Sequence, residues 1–208
     1  MFQKTNRRSG FTLIELLVVI AIIAILAIVV ILTLNPGQLI AQARDSNRIS
    51  DLATIKSAVS YYLQDVSSPS LGTSKLCYES GPIFSSAVTS VTTCPWFASI
   101  ANGVTSTGNR SVNSAAGWIP INLSLISVGS PIGQWPSDPL NIAASAASAY
   151  VATDFFYSYE ASSTSGGGFK LGAFMESSKY GTLGPGDVQT NDGGSSTSTY
   201  EQGSNLQL

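Results

Sequence analysis

One carboxylate stands where an apolar pattern leaves no place for it. From Phe11 to Leu34 the chain reads FTLIELLVVIAIIAILAIVVILTL, and Glu15 is the single charged residue in that run. A carboxylate near the middle of a lipid-facing helix costs about 2.5–3.5 kcal/mol on the insertion scale. Near the helix start the cost is smaller, and the positive end of the helix dipole favours an acid there. The leader before the run, MFQKTNRRSG, carries Lys4, Arg7 and Arg8 and no acid.

The remaining reactive residues are few. The 208 residues include no His, which removes the commonest general base and metal ligand and lowers the expectation of catalysis. The sequence shows no P-loop, no nucleophile–base pair and no metal-ligand cluster, so no enzyme and no resident cofactor are expected. Asp187, Asn191 and Asp192 in PGDVQTNDGG are the weak candidates for calcium. Their spacing is not that of an EF-hand and no Glu closes such a loop, so a solvated turn is the simpler reading. Cys77 and Cys94 lie beyond the apolar run. If that part is exported, a disulfide is the natural reading, against two buried thiols. It would close a loop of about 18 residues and contribute roughly 3 kcal/mol in the chain-entropy model. Asn109-Arg110-Ser111 and Asn122-Leu123-Ser124 fit the glycosylation pattern, which is too short to weigh much. A net charge of −2 with few Lys and Arg shows no basic patch, so no specific nucleic-acid site is expected.

These residues need elements to hold them. A run of about 20 apolar residues is long enough to cross a bilayer as a helix. Positive charge before it keeps that end cytoplasmic and places the rest outside. Residues 11–34 are too long for the core of a secretory signal. Asn35-Pro36-Gly37 interrupts the helix, with Pro36 and Gly37 expected to make a kink or short break. Residues 35–64 continue as an amphipathic helix. Ile49, Leu52, Ile55, Val59, Tyr62 and Leu63 recur on one stripe. Arg44, Asp45, Arg48, Asp51 and Lys56 are expected mostly off it, with Asp45–Arg48 and Arg48–Asp51 as surface pairs. Joined, the two segments would give a rod of about 50 residues, roughly 80 Å long.

Residues 65–208 read as an exported globular domain with a modest core, to which Trp96, Trp118 and Trp135 are candidates. Gly117–Leu123 is expected to be a strand or edge segment, demoted by Pro120. Trp135–Asn141 reads as a turn. Tyr150–Glu160 and Gly168–Glu176, separated by Ala161–Gly167, read as an antiparallel hairpin. Gly184–Ser198 reads as a loop, and Tyr200–Leu208 as a short final strand or clasp. The expected class is α+β: a long N-terminal helix packed on a small C-terminal antiparallel sheet.

Arg7-Arg8-Ser9-Gly10, Phe11-Thr12-Leu13-Ile14-Glu15 and the apolar run together resemble the class III signal of type IV pilins and type II secretion pseudopilins. The likeness covers about the first 60 residues; the globular part is similar only in outline. The resemblance implies cleavage of leader 1–10 between Gly10 and Phe11 by a membrane prepilin peptidase, which would also methylate the new amine of Phe11. The subunit would wait in the cytoplasmic membrane, single-pass with its N-terminus cytoplasmic. Inner-membrane assembly machinery would then extract it into a cell-surface helical filament of its own copies and other pilins. In that core the Glu15 carboxylate could meet the Phe11 amine of a neighbour, setting register more than stability. A proline at Pro36 stands about one turn further along than in many pilins. The resemblance leaves open a secretion pseudopilin, although Glu15 argues against the tip type that lacks the acid. A membrane-anchored binding domain that never polymerises is the alternative from another class.

Overall fold

The computed structural model describes residues 10–72, 76–79, 103–106, 108–114, 116–141, 155–162 and 167–208. By contacts between residues the chain divides into two units, Met1–Ile40 and Ala41–Leu208.

In the first unit, α1 spans Leu13–Leu34. Leu, Ile, Val and Ala fill it, and an uninterrupted helix satisfies every backbone group within one segment. Its side chains from Leu13 to Ile31 are exposed, and this stretch is long and apolar enough to cross a membrane. The helix stops at Asn35, whose φ of 40° and ψ of 74° place it in the left-handed region. Asn tolerates that conformation better than most residues. A second helix, α2 (Pro36–Asp65), then starts at once. Pro36 takes the first helical position, where its missing N–H costs nothing. The left-handed residue between the two helices is thus Asn35, one position before the Pro36 and Gly37 named from the sequence.

In the second unit, residues 41, 45, 48, 52, 55, 59 and 62 of α2 are buried, at alternating steps of four and three. Leu52, Ile55 and Val59 have no exposed surface. Asp45 and Arg48 occupy the same stripe and are equally buried; they pair, as expected, but inside the fold and not on the surface. Ile49 and Leu63, expected on the stripe, lie at its edges, partly buried.

The stripe packs with one face of a five-stranded sheet in the order β2-β1-β3-β4-β5, where β1 is Leu76–Glu79, β2 Gly103–Ser106, β3 Tyr157–Ala161, β4 Phe169–Ala173 and β5 Tyr200–Gly203. The β1–β3, β3–β4 and β4–β5 pairs are antiparallel, as expected. The β1–β2 pair is parallel, a pairing that requires a long crossover between the strands. Register explains the core. Tyr157↔Ala173, Tyr159↔Leu171 and Ala161↔Phe169 put apolar side chains on one face. All of them join the cluster that holds Leu52, Ile55 and Tyr62. Ser158↔Gly172 and Glu160↔Lys170 fall on the other face.

The hairpin is thus where the sequence placed it, with shorter strands; residues 150–154 lie outside those described. β4 ends at Ala173 instead of Glu176 because the next backbone groups turn toward α2: the N–H groups of Glu176 and Ser177 donate to Asp45. Gly117–Leu123 is not a strand. Trp118, Ile119, Ile121 and Leu123 are buried, but the Trp118 and Leu123 N–H groups donate to loop carbonyls of Asn109 and Val112. A 3-10 turn follows at Leu123–Leu125. Apolar residues here fill the core without a ladder. Gly117 is required at its position, since a Cβ there would lie 2.1 Å from the Ser111 carbonyl oxygen. Gly184–Ser198 is a loop, as expected, and Tyr200 opens the last strand.

Candidate functional site at the head of the apolar helix

The residues singled out by type converge at the start of α1. Gly10, Phe11 and Thr12 precede the helix without regular structure, and Phe11 is 79% exposed. Thr12 is the N-cap, with φ −81° and ψ 151°. Its hydroxyl accepts from the Glu15 N–H at 3.3 Å, and the Glu15 carboxylate accepts from the Thr12 N–H at 2.9 Å and from the Thr12 hydroxyl at 2.7 Å. This is a reciprocal capping box: two otherwise orphaned N–H groups at the helix start are satisfied by the two side chains. Sequence reasoning missed Thr12, although Thr12-Leu13-Ile14-Glu15 spells the box. Glu15 therefore closes the start of its own helix, and its carboxylate keeps lone pairs that could accept from a cation.

Residues 5–31 match the family model described as the prokaryotic N-terminal methylation motif. The chain carries the class III signal of the type IV pilin and pseudopilin family. Neither the curated proteins nor the solved structures show a significant match to this chain. The class III signal points to a structural protein, to processing by a prepilin peptidase and to assembly with other pilins. With the apolar α1, it supports anchoring in the membrane before assembly.

The other candidates belong to the second unit. Cys94 lies outside the described residues, and with it the expected bond to Cys77. The Asp187 and Asp192 carboxylates accept from backbone N–H groups of their loop and of β5. Asp187 accepts from the N–H groups of Leu183, Gln189 and Thr190 and from the Thr190 hydroxyl. The Thr190 hydroxyl bond leads in holding the Asp187 carboxyl below its usual range. Asn191 donates to the Asp187 carbonyl at 3.0 Å, and Asp192 accepts from the Gly194 and Glu201 N–H groups. Such a set stabilises a turn.

A second concentration of charge surrounds Arg48 in the globular unit, and of its contacts only the one to Asp45 was foreseen from the sequence. Its guanidinium reaches Asp138 through Nε at 2.6 Å and Nη2 at 3.0 Å, and Asp45 through Nη1 at 2.7 Å. It also lies 4.7 Å from the ring centre of Phe155. Arg48, Asp45 and Asp138 are all buried. Burial works against the Arg48 charge, and the bonds to Asp138 and Asp45 overcome it, so the group is held above its ordinary pKa. Arg44 forms a two-point pair with Glu176 and is the main reason the Glu176 carboxyl titrates below its usual range. Asp51, expected to pair with Arg48, accepts from the Tyr157 hydroxyl at 2.7 Å. Burial raises its pKa against that bond. The signal that could have revealed this cluster was the stripe itself, since stepping by four and three from Leu52 lands on Arg48, Asp45 and Ala41.

Proposed function

We propose that the protein is a structural subunit of a type IV pilus-like surface filament, anchored by α1 before assembly and packed through α1 afterwards. The observation that carries this reading is a helix exposed along its apolar length with its one acid in the first turn, inside a matched methylation motif. A lipid anchor and a protein core demand the same apolar surface, so the surface alone serves both. Glu15 distinguishes them, since an acid is of no use to lipid. In this reading the peptidase cuts between Gly10 and Phe11, and the freed Phe11 amine of one subunit meets the Glu15 carboxylate of a neighbour. The globular unit lies outside the cell, where Cys77 and Cys94 are oxidised to a disulfide.

N-terminal mass analysis of the membrane-extracted protein tests the first step, and the expected terminus is methylated Phe11. Electron microscopy of sheared surface material tests the second, and filaments containing this chain are expected. A processed, methylated chain that remains monomeric in the membrane would overturn the filament reading. Alkylation of the exported chain with and without prior reduction tests the disulfide, with no free thiol expected before reduction.

A further inference from the structure

The second face of the sheet holds an arrangement that the proposed function does not use. Lys170 of β4 and Glu201 of β5 have no exposed surface, and the Lys170 Nζ lies 3.2 Å from Glu201 Oε1. That oxygen receives no hydrogen bond, although the ammonium nitrogen is beside it. Nζ donates to Ser195 Oγ at 3.0 Å and to the Leu208 carbonyl. The other Glu201 oxygen is fixed by the Ser196 N–H at 3.0 Å, and the Glu201 backbone N–H by Asp192. Gly194 closes over the carboxylate, where a Cβ would lie 1.7 Å from Oε2. Glu160, also buried, sits directly across β3–β4 from Lys170, on the same face. Opposed residues of an antiparallel pair are close side-chain neighbours.

We propose that Lys170 and Glu201 join in an amide cross-link between β4 and β5. Three physical conditions favour it. An amine held against a carboxyl in a fixed frame gains the large rate advantage of an intramolecular reaction. A desolvated lysine is a competent nucleophile. Condensation also removes two buried charges, whose desolvation opposes the ion pair. The step balances without any co-reactant. The Lys170 ammonium passes a proton to the Glu160 carboxylate, and the freed Nζ lone pair attacks Glu201 Cδ to form the C–N bond. A second proton passes from nitrogen to an oxygen on Cδ. The C–O bond to the departing hydroxyl breaks as Glu160 returns its proton, releasing one water.

Intact-mass spectrometry of the denatured full chain is the test. After reduction, the expected mass is one water below that calculated for the chain with its observed N-terminus, and the mass of Lys170→Arg shows no such loss. Trypsin then yields a branched species linking the peptides on either side of Lys179, with no cleavage after Lys170. Glu160→Gln should cross-link about a hundredfold more slowly, the scale of a lost general acid–base. A wild-type chain of full mass overturns the proposal. So does a lost water mapped to Asp192-Gly193, where a succinimide would give the same mass, or to any other carboxyl. Full cross-linking of Glu160→Gln at the wild-type rate overturns the role given to Glu160. The wild-type measurement needs no variant to fold.

Discussion

The two helices each carry charge where an apolar pattern leaves no room for it, and they resolve the conflict in opposite ways. In α1, Glu15 sits among exposed apolar side chains, and Thr12 of its own helix end is its hydrogen-bonding partner. In α2, Arg48 and Asp45 stand in the buried stripe and are satisfied by the fold, through Asp138, Glu176 and the backbone after β4. A misplaced charge that the fold satisfies is structural. One that the fold leaves facing outward points to something outside the chain. The difference fits the assembly role proposed for Glu15 and gives Arg48 one in stability.

The sharpest way to break that division is Glu15→Ala. It should leave cleavage before Phe11 intact and reduce filament yield to the background of sheared preparations. It should leave the unfolding of the globular unit unchanged. Normal filament yield from this variant would return Glu15 to the status of a helix cap. Arg48→Ala is its mirror image. It strands the buried carboxylates of Asp45 and Asp138, a loss of about 3–5 kcal/mol in urea unfolding of the full chain. Arg48→Met, which fills the volume but leaves the same acids unpaired, should rescue little of it. A change below about 1 kcal/mol would show that water reaches the cluster.

Acid separates the two regions more gently. The folded pKa of Glu176 is depressed, chiefly by Arg44. Its contribution is therefore present above the ordinary carboxylate pKa and is lost as pH falls through the depressed value. Asp51 has the opposite sign, because its raised pKa makes its ionised form a cost to the fold above that range. Thermal unfolding followed downward from about pH 5 should show a falling midpoint that Glu176→Gln flattens. Equal slopes in the two proteins would remove Glu176 from the account. The smallest effect is expected at Asn35. Glycine accepts its left-handed backbone at a few tenths of a kcal/mol or better, whereas Asn35→Val should cost about 1–2 kcal/mol of local helix order. Hydrogen exchange of the amides around Asn35 would read the difference.

Much of the fold was legible because its signals are local. The apolar run, the α2 periodicity and the aromatic β3–β4 hairpin each depend on residues close in sequence. The misreadings came from alternation without a ladder at Gly117–Leu123 and from charges read as surface residues on type alone. Arg48 is buried because Asp138, far along the chain, arrives beside it. No helix pattern contains that fact. The parallel β1–β2 pair was equally hidden, since strand direction depends on the path of the crossover.

The sequence by itself determined the helix at the N-terminus, its class III signal and the solitary acid, because lipid-length hydrophobicity and a short motif need no tertiary partner. Only the tertiary structure decided that Arg48 and Asp45 belong to the core and that Lys170 meets Glu201 on the sheet's second face. A buried charge is tolerated only where distant segments deliver its partners, and that delivery is a property of the folded chain.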